Sequence, residues 1–278
     1  MTQTITTERA YEHSIEPGAS PEETYIVPNA WQHARRRLEL LEACYDHTSC
    51  QRASVLGVRE GWRCLDAGAG GGSFARWLSA TVGPTGSVLA ADLDTRLLQD
   101  IDAPNVEVRE LDLVCDELPS QEFDFVHTRL VLMHIPQREQ VLARLCATLR
   151  PGGTLMLEEA DVYPILAAET GPYRDAWLAF RRAYLLAGTN DEWARDLPLR
   201  LARRGLIDVQ AEVDVRLFRG GSTEAQFWSL TWEQVRDRVV AVGEPAGAID
   251  RGQSELADPK RWFHSPATVI VTGRRPLG

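Results

Sequence analysis

The chain lacks long apolar runs. None of its 278 residues belongs to a stretch approaching the roughly 18 apolar residues that a membrane-spanning helix requires. The first residues, MTQTITTERAYEHSIEPGAS, are polar and include acids, so they resemble neither the apolar centre of a signal peptide nor an acid-poor transit peptide. These absences predict a soluble, cytoplasmic protein with no membrane partner.

Cysteine pairs and long basic stretches are also missing. The five cysteines are widely spread and form no C-x-x-C pair, which argues against a disulfide framework or a zinc site. The formal net charge of -10 argues against a nucleic-acid partner, because neutralising phosphates needs clustered cations. The basic clusters ARRRLE at 34–39 and LARRG at 201–205 alternate with apolar residues at helical spacing, which is typical of a solvated helix face. We therefore expect no nucleic-acid partner and no metal.

From residue 62 onward, short apolar strands alternate with helices. The predicted strands are WRCLDAG, GSVLAADLD, NVEVRELD, FDFVHTRLVL and TLMLEEA, with helices over SFARWLSATV, TRLLQDI and PQREQVLARLCATL between them. Two further strands, IDVQAEVDVRLF and ATVIVTGR, follow near the end, separated by a helix over TEAQFWSLTWEQVRDRVV and a turn-rich stretch over 243–259. This alternation predicts an α/β fold with a doubly wound, largely parallel sheet.

The segments outside this core are predicted from their composition. Residues 1–27 lack periodicity and contain Pro17, Gly18 and Pro21, which predicts a flexible arm or lid. Residues 28–278 form a single predicted domain that begins with two helices, over 29–46 and from Thr48 to Gly57. Within it, residues 160–205 interrupt the alternation with a helical insertion rich in Trp, Tyr and Arg. The sequence contains no internal repeat.

A glycine-rich loop follows the first predicted strand. Asp66, Gly68, Gly70 and Gly72 form the pattern D-x-G-x-G-x-G, at the sheet edge where open α/β folds bind ligands. Glycine allows positive φ there and lets a ligand approach the backbone without a Cβ in the way. The dinucleotide fingerprint G-x-G-x-x-G fits less well, because its third position is Ser73 and the acid would repel a pyrophosphate. The loop therefore suits a cationic nucleoside better than a diphosphate.

The complete glycine pattern resembles the signature loop of class I S-adenosylmethionine-dependent methyltransferases. The resemblance covers roughly residues 30–160, including FDFVHTRLVLMHIP and LRPGGTLMLEE, and recurs in the last two strands. In its details it is similar to the branch that acts on small molecules, which includes ubiquinone-type and actinobacterial natural-product enzymes. It implies a Rossmann-like sheet of seven strands in the order 3-2-1-4-5-7-6, with the last strand antiparallel, N-terminal helices, and an insertion after strand 5 that covers the acceptor site.

The same resemblance implies S-adenosylmethionine as the cofactor and suggests its ligands. The Asp66 carboxylate would attract the ammonium group, and Asp92, which ends the second strand, would accept from both ribose hydroxyls. As mere turn or cap residues, Asp92 and Asp112 would have an ordinary structural explanation. The full set expected to contact the cofactor, from sugar and base to methionine carboxylate, is Arg37, Asp66, Gly68, Gly70, Gly72, Asp92, Leu93, Asp112, Leu113 and Arg129.

Candidates for catalysis and acceptor binding are fewer. His134, just past the fourth strand, has a suitable pKa range for a base, although it also suits a cap of the next helix. Of the adjacent acids Glu158 and Glu159, which face opposite ways on a strand, Glu159 is slightly favoured. Aromatic side chains in the variable segments predict a flat, apolar substrate; those assigned to it are Tyr25, Trp31, Tyr163, Tyr173 and Trp177.

The sequence thus predicts a methyltransferase acting on a small aromatic or apolar acceptor, at O, N or C, in natural-product metabolism. It is expected to be a monomer or homodimer. HTRLV stands where base-amino methyltransferases carry an NPPY-type motif, and no catechol-type acid cluster is present. Three alternatives stay open: a cofactor-binding protein without methyl transfer, an enzyme of other chemistry such as decarboxylation or cyclisation, and an NAD-linked oxidoreductase.

Overall fold

The computed structural model describes residues 27–277, so Tyr25 and all but the last residue of the predicted arm lie outside the described part. Its strands are β1 Arg63–Ala67, β2 Ser87–Asp92, β3 Val106–Glu110, β4 Phe123–Arg129, β5 Leu149–Asp161, β6 Ile207–Asp214, β7 Leu217–Arg219, β8 Trp262–His264 and β9 Ala267–Arg274. Its α-helices are α1 Ala34–Val55, α2 Ser73–Val82, α3 Arg138–Thr148, α4 Tyr163–Ala168, α5 Gly171–Leu186, α6 Leu197–Arg203, α7 Thr223–Ala241 and α8 Ala246–Leu256.

Seven of these strands form one sheet in the order β3-β2-β1-β4-β5-β9-β6. The neighbours from β3 to β5 are parallel, whereas β9 runs antiparallel to both β5 and β6. With β9 as the seventh strand of the sheet, the predicted order and the antiparallel last strand are confirmed. Since β1 and β4 are adjacent and their connections run to opposite sides of the sheet, the strand order reverses between them, at the position where such folds bind ligands.

The inner strands β1, β2, β4, β5 and β9 are mostly buried on both faces, as their apolar sequences require, whereas the edge strands β3 and β6 are largely exposed or half-buried. Successive residues alternate between two cores: Leu65 and Val126 pack with α3, whereas Cys64 and Phe125 pack with α2. A third core is aromatic and lies among α1, α5, α7 and α8, with Trp232 at 0% exposure. This third core joins the inserted helix α5 to the rest of the domain. None of the helices in the described residues is both long enough and apolar enough to cross a membrane.

Two helix predictions near the ends of the chain were wrong. The two predicted N-terminal helices are one helix, α1. Its buried residues Tyr45, Ser49 and Ala53 recur at four-residue spacing, so the buried face continues without a break across Thr48. The stretch over 243–259 predicted as turns contains α8 instead. Gly252 is the reason: a Cβ there would stand 2.4 Å from the Cβ of Ala176, so glycine serves the close packing of α8 on α5 rather than a turn.

Two further boundaries also differ from prediction. The helix expected over TRLLQDI is only a 3₁₀ turn over Thr95–Leu97, begun by the side chain of Asp94, which accepts from the Arg96 backbone N–H. The strand expected over IDVQAEVDVRLF divides after Asp214. Its second part, β7, leaves the main sheet and pairs with β8 in a two-stranded sheet.

Candidate functional site

A cavity of about 400 Å³ lies where β1, β2, β3 and β4 end, within the size range of small-molecule sites. Loop residues that follow these strands line one part of it. Residues of α1, α5 and α7 line the rest. The cavity therefore combines the sheet edge that holds the glycine motif with the aromatic core formed by the helices.

The glycine loop forms one wall of the cavity through residues 68–71. Gly68 has φ +80°, and a Cβ there would stand 2.3 Å from the Val131 Cγ2 atom, so only glycine lets the segment after β4 approach. Gly70 has φ +58°, and a Cβ on it would meet nothing closer than Leu38 at 3.6 Å. Gly72 does not line the cavity; it precedes α2 in a left-handed conformation.

Asp92 lines the cavity and supports the glycine loop. Its Oδ2 accepts the Gly70 backbone N–H at 2.8 Å, and its Oδ1 accepts the Asp94 backbone N–H at 3.1 Å. Burial raises the pKa of Asp92 to about 6, although these two hydrogen bonds oppose the shift. The sequence indicated the position of this acid but not its contact with the loop.

The third strand contributes Asp112 and Leu113, which line the cavity together with Leu93. The Asp112 Oδ1 accepts the Val114 backbone N–H at 2.8 Å, so this acid also fixes its own turn. Its ordinary role as a turn residue and its place on the cavity are thus both present. Leu113 is 7% exposed.

Asp66 differs from the expectation, because it does not line the cavity. It is 2% exposed, and its Oδ1 lies 2.7 Å from the His127 Nδ1 atom on the neighbouring strand. The two residues are in register where β1 pairs with β4, which explains the contact. The other ring nitrogen of His127 lies 2.9 Å from the Glu158 Oε1 atom on β5. The sequence analysis missed His127. The signal that could have found it is its position on β4, which the pairing of β1 with β4 places beside Asp66.

Helix α1 brings two charged side chains to the cavity. Arg37 lines it at 4% exposure, and its Nε atom has no hydrogen-bond partner in the described part of the chain. Glu42, which the sequence analysis missed, lines the cavity beside the glycine loop and accepts the Ser73 backbone N–H at 3.3 Å. Burial, reinforced by Asp46, raises its pKa.

Arg129 also lines the cavity, where β4 ends. Its guanidinium donates to the Asp46 Oδ1 at 2.9 Å and to the Ser49 hydroxyl at 2.8 Å, both on α1. Arg129 therefore ties the N-terminal helix to the sheet edge, and its charge is already balanced by an acid.

His134 lines the cavity on the segment after β4. Its Nδ1 lies 3.4 Å from the Thr189 hydroxyl, and its ring stands edge-on to Tyr184 with centroids 5.4 Å apart. Burial, followed by the nearby charges of Arg37 and Arg138, lowers the pKa of His134 to about 3. The imidazole is therefore neutral at physiological pH and a weak base.

Glu159 is fully buried and does not line the cavity. It accepts the backbone N–H groups of Leu132 at 2.9 Å and Met133 at 3.2 Å. Burial raises its pKa to about 7, against these hydrogen bonds. The alternation rule correctly sends Glu158 and Glu159 to different partners, but neither reaches the cavity, and Glu159 instead holds the segment that carries His134.

Tyr25 lies outside the described residues, and the other aromatic residues singled out from the sequence do not line the cavity. Tyr173 and Trp177 are core residues at 0% and 3% exposure, and the Tyr173 hydroxyl donates to the His264 carbonyl. Trp31 packs beside Leu38 and Leu97, and Tyr163 is 44% exposed. The aromatic residues that do line it, missed from the sequence, are Phe180, Tyr184, Phe227 and Trp228.

The first two of these missed residues had a detectable signal. Phe180 and Tyr184 continue the α5 face that carries Tyr173 and Trp177, at the helical spacing of three and four residues. Their ring centroids lie 4.0 Å apart. One face of α5 is thus core at its start, where α8 packs against Ala176, and cavity wall at its end.

A family model described as a methyltransferase domain matches residues 30–211, which include the glycine loop and the strand ends around the cavity. Because this match covers well over half of the chain, the protein belongs to that methyltransferase family. The predicted relationship to class I S-adenosylmethionine-dependent methyltransferases is thereby confirmed, and S-adenosylmethionine is the cofactor of this class.

Curated relatives match a shorter part of the chain. The ubiquinone/menaquinone biosynthesis C-methyltransferase UbiE of Ectopseudomonas mendocina is 34% identical over 111 residues, and its counterpart in Pseudomonas putida strain GB-1 is 33% identical. Each match covers 37% of this chain and 43% of the relative. The similarity therefore extends over less than half the length of these relatives.

Solved structures share the fold over most of the chain. Phospholethanolamine N-methyltransferase 2 of Haemonchus contortus, in complex with phosphomonomethylethanolamine and S-adenosylhomocysteine, has a TM-score of 0.59 at 17% identity, covering 93% of this chain and 60% of that one. The YcgJ protein of Bacillus subtilis has a TM-score of 0.53 at 16% identity, covering 84% and 100%. At these identities the likeness concerns the fold alone.

The residues around the cavity fit the chemistry of the cofactor. The buried Arg37 guanidinium, whose Nε atom has no hydrogen-bond partner among residues 27–277, suits a carboxylate, and acids at Asp92 and Glu42 suit hydroxyl or ammonium donors. Leu93 and Leu113 offer apolar contact to a base. Within residues 27–277, no group of three or more His, Cys, Asp or Glu side chains is arranged to hold a metal ion.

Proposed function

We propose that this protein transfers the methyl group of S-adenosylmethionine to a small, flat, aromatic or apolar organic acceptor. The single observation that carries the proposal is that one cavity joins the polar strand ends to an aromatic wall formed by α5 and α7. The similarity to the UbiE C-methyltransferases favours a quinone-type ring and a carbon atom as the site of attack. A role in secondary metabolism, in the cytoplasm, goes with this proposal as a prediction.

In this proposal the cofactor occupies the sheet side of the cavity. Asp92 accepts from the ribose hydroxyls, Asp112 and Leu113 contact the base, and Arg37 binds the methionine carboxylate with its Nε–H, which has no partner among the described residues. Glu42, which lines the cavity where Asp66 does not, is the nearer acid for the ammonium group. The bound cofactor supplies a methyl group on a positively charged sulfur, which is already an activated leaving group.

The chain itself then contributes mainly alignment and exclusion of water. Phe180, Phe227 and Trp228 are each under 8% exposed and form an apolar wall that holds a flat acceptor and keeps water out. The 160–205 insertion, to which Phe180 belongs, is thus proposed to cover the acceptor site. No strong base is needed for an acceptor that is already nucleophilic.

His134 is proposed to accept a hydrogen bond from the attacking group. Its neutral imidazole suits this role, since the low pKa leaves it uncharged. An anion bound to Arg37 offsets one of the two charges that lower the pKa of His134, which makes the ring a better proton acceptor in the loaded enzyme. Glu159 is proposed to act only by positioning the segment that carries His134.

Calorimetry with S-adenosylhomocysteine and with NADH tests the cofactor first. We expect binding of the former alone; the reverse result would support the oxidoreductase alternative and overturn the proposal. Incubation with S-adenosylmethionine and a panel of hydroquinones, phenols and anilines, followed by mass spectrometry, then tests the reaction. Gain of one methyl group supports the proposal. Cofactor binding without any methylated product would favour a binding protein, and a product of unchanged methyl count would favour other chemistry.

Substitution of the proposed hydrogen-bond acceptor tests the mechanism. For His134→Gln we expect kcat to fall about 10- to 100-fold, at the low end of what general-base groups contribute, with cofactor affinity within about twofold. His33→Gln, at an exposed histidine, is the matched control and should change neither. An unchanged kcat in His134→Gln would remove the residue from the mechanism.

A further inference from the structure

Three buried side chains that the proposed mechanism does not use connect the ends of β1, β4 and β5. His127 lies between two carboxylates, with Nδ1 2.7 Å from the Asp66 Oδ1 and Nε2 2.9 Å from the Glu158 Oε1. The three residues are at most 2% exposed. Asp66 lies two residues before Gly68, which lines the cavity, so this triad lies beneath the glycine loop.

The two short contacts fix the number of protons in the triad. A carboxylate only accepts hydrogen bonds and a neutral imidazole has one donor, so each contact needs its own proton. Two protons shared by two carboxyl groups and one ring leave a net charge of -1, wherever each proton resides. Burial alone would lower the pKa of His127, but the hydrogen bonds to Asp66 and Glu158 outweigh it and raise that pKa. The pKa of Glu158 is lowered, as expected for a carboxylate beside a protonated His127 ring.

Arg129 on β4 is the cation that acts on this remaining charge: it attracts Glu158 and helps to lower the pKa of that acid. The other charged and titratable groups that face the triad are Asp46 and Cys50 on α1, Cys64 on β1 and Asp92 on β2, and the Phe74 ring of α2 lies 4.0 Å from the His127 ring. Arg129 also pairs with Asp46 at 2.9 Å, so the triad, Arg129 and Asp46 together still carry a net charge of -1. Consistent with an excess of negative charge, the Asp66 Oδ2 and Glu158 Oε2 atoms are buried and lack hydrogen-bond partners in the described residues.

We propose that His127 is a positioning residue that locks Asp66 and Glu158 into a unit of single negative charge, which favours binding of the ammonium group at the amino-acid end of the cofactor from beneath the glycine loop. The proposal rests on the proposed function and adds residues that touch neither cofactor nor acceptor. Without the ring, two buried carboxylates would face each other, which burial strongly disfavours. With the His127 ring present, the triad keeps a single negative charge, and the hydrogen bond to the ring fixes the position of the Asp66 carboxylate.

The test compares two ligands that share the nucleoside. S-adenosylhomocysteine has the ammonium and carboxylate groups, whereas 5′-methylthioadenosine has neither. For Asp66→Asn we expect about tenfold weaker binding of the former, as expected for loss of a nearby charge in a partly buried site, and less than about twofold change for the latter. Glu158→Gln, at the triad acid on β5, should also weaken binding of S-adenosylhomocysteine more than that of 5′-methylthioadenosine, but by a smaller factor. Asp124→Asn, a buried β4 acid at 3% exposure outside the triad, is the control and should leave the ratio of the two affinities unchanged.

Several results would overturn the proposal. Equal losses for both ligands in Asp66→Asn would mean a merely structural role, and unchanged affinities would mean none. In ¹⁵N NMR of the intact protein we expect both His127 ring nitrogens to stay protonated well above pH 6.5; titration near that ordinary value would contradict the locked unit. Failure of the proposed cofactor site is distinguishable, since wild-type protein would then bind neither ligand, and failure of methyl transfer alone would show only in the product assay and leave this comparison of affinities unchanged.

Discussion

The two halves of the cavity are built in opposite ways. The half proposed to hold the cofactor consists of loop residues that follow successive parallel strands, and its shape depends on backbone conformation, as at Gly68 and Gly70. The half proposed to hold the acceptor consists of aromatic side chains from α5 and α7, which are far apart in sequence and meet only through packing. A site made by backbone leaves a motif in the sequence, whereas a site made by packing of distant helices does not.

The largest effect is expected from adding one methyl group to the glycine loop, whose shape depends on backbone conformation. Gly68→Ala introduces a Cβ 2.3 Å from Val131 at φ +80°, and we expect it to lower the free energy of unfolding by about 2–5 kcal/mol from backbone strain and overpacking together. Gly57→Ala is the matched control, since Gly57 has φ +88° but no atom within 4 Å of the added Cβ. Chemical denaturation of both should give only about 1–2 kcal/mol for the control. Equal losses would show that the close approach of Val131 does not matter.

The next effect concerns Asp92, the acid that holds the glycine loop and is proposed to bind the ribose of the cofactor. Asp92→Ala should weaken binding of S-adenosylhomocysteine by about 1–3 kcal/mol, through loss of the ribose contacts and of the bond to the Gly70 N–H. Titration calorimetry measures it. Asp100→Ala, at an exposed acid paired with Arg35 and Arg76, should leave affinity unchanged. Wild-type affinity in Asp92→Ala would exclude Asp92 from the site.

A smaller effect is the pH dependence of cofactor binding. The pKa of Asp92 is raised from 3.8 to about 6, so the protonated acid stabilises the unliganded protein, and this stabilisation is lost as the pH rises from about 4 to 6. The affinity for the cofactor changes with pH in the opposite direction, because the ribose hydroxyls donate to the ionised carboxylate. We expect affinity to increase from pH 5 to pH 7 and then level off, and Asp92→Asn to flatten that profile. A decrease over this interval would contradict the assignment.

The smallest expected effect lies in the packing half. Trp228→Phe keeps an aromatic ring but makes the aromatic wall smaller. We expect the KM of the hydroquinone or phenol that serves as acceptor to rise several-fold, while cofactor affinity stays within about twofold. Trp177→Phe is the matched control, because Trp177 packs on Trp228 with centroids 4.4 Å apart yet does not line the cavity. That variant should lower the thermal midpoint without changing KM. The reverse pattern would shift the acceptor wall to the start of α5.

This contrast also explains how far the sequence led. The strand order followed from the family resemblance. The positions of Asp92, Asp112 and the glycine loop followed from local patterns, because a motif at a strand end has only one sheet edge to occupy. The cavity-lining aromatic residues did not follow, because Tyr173 and Phe180 lie on the same helix face and only tertiary packing decides which of them meets the core and which the cavity. Asp66 was misplaced for a similar reason: its partner His127 is adjacent only through the pairing of β1 with β4.

The position of β9 has a consequence for biosynthesis. This strand, residues 267–274, lies between β5 and β6, so during translation the long edge of β5 remains open until nearly all the other described residues have been made. Open strand edges invite pairing with other chains. A stop codon before residue 267 would thus yield a polypeptide with an intact glycine motif and an unsealed sheet, which we expect to aggregate on release from the ribosome.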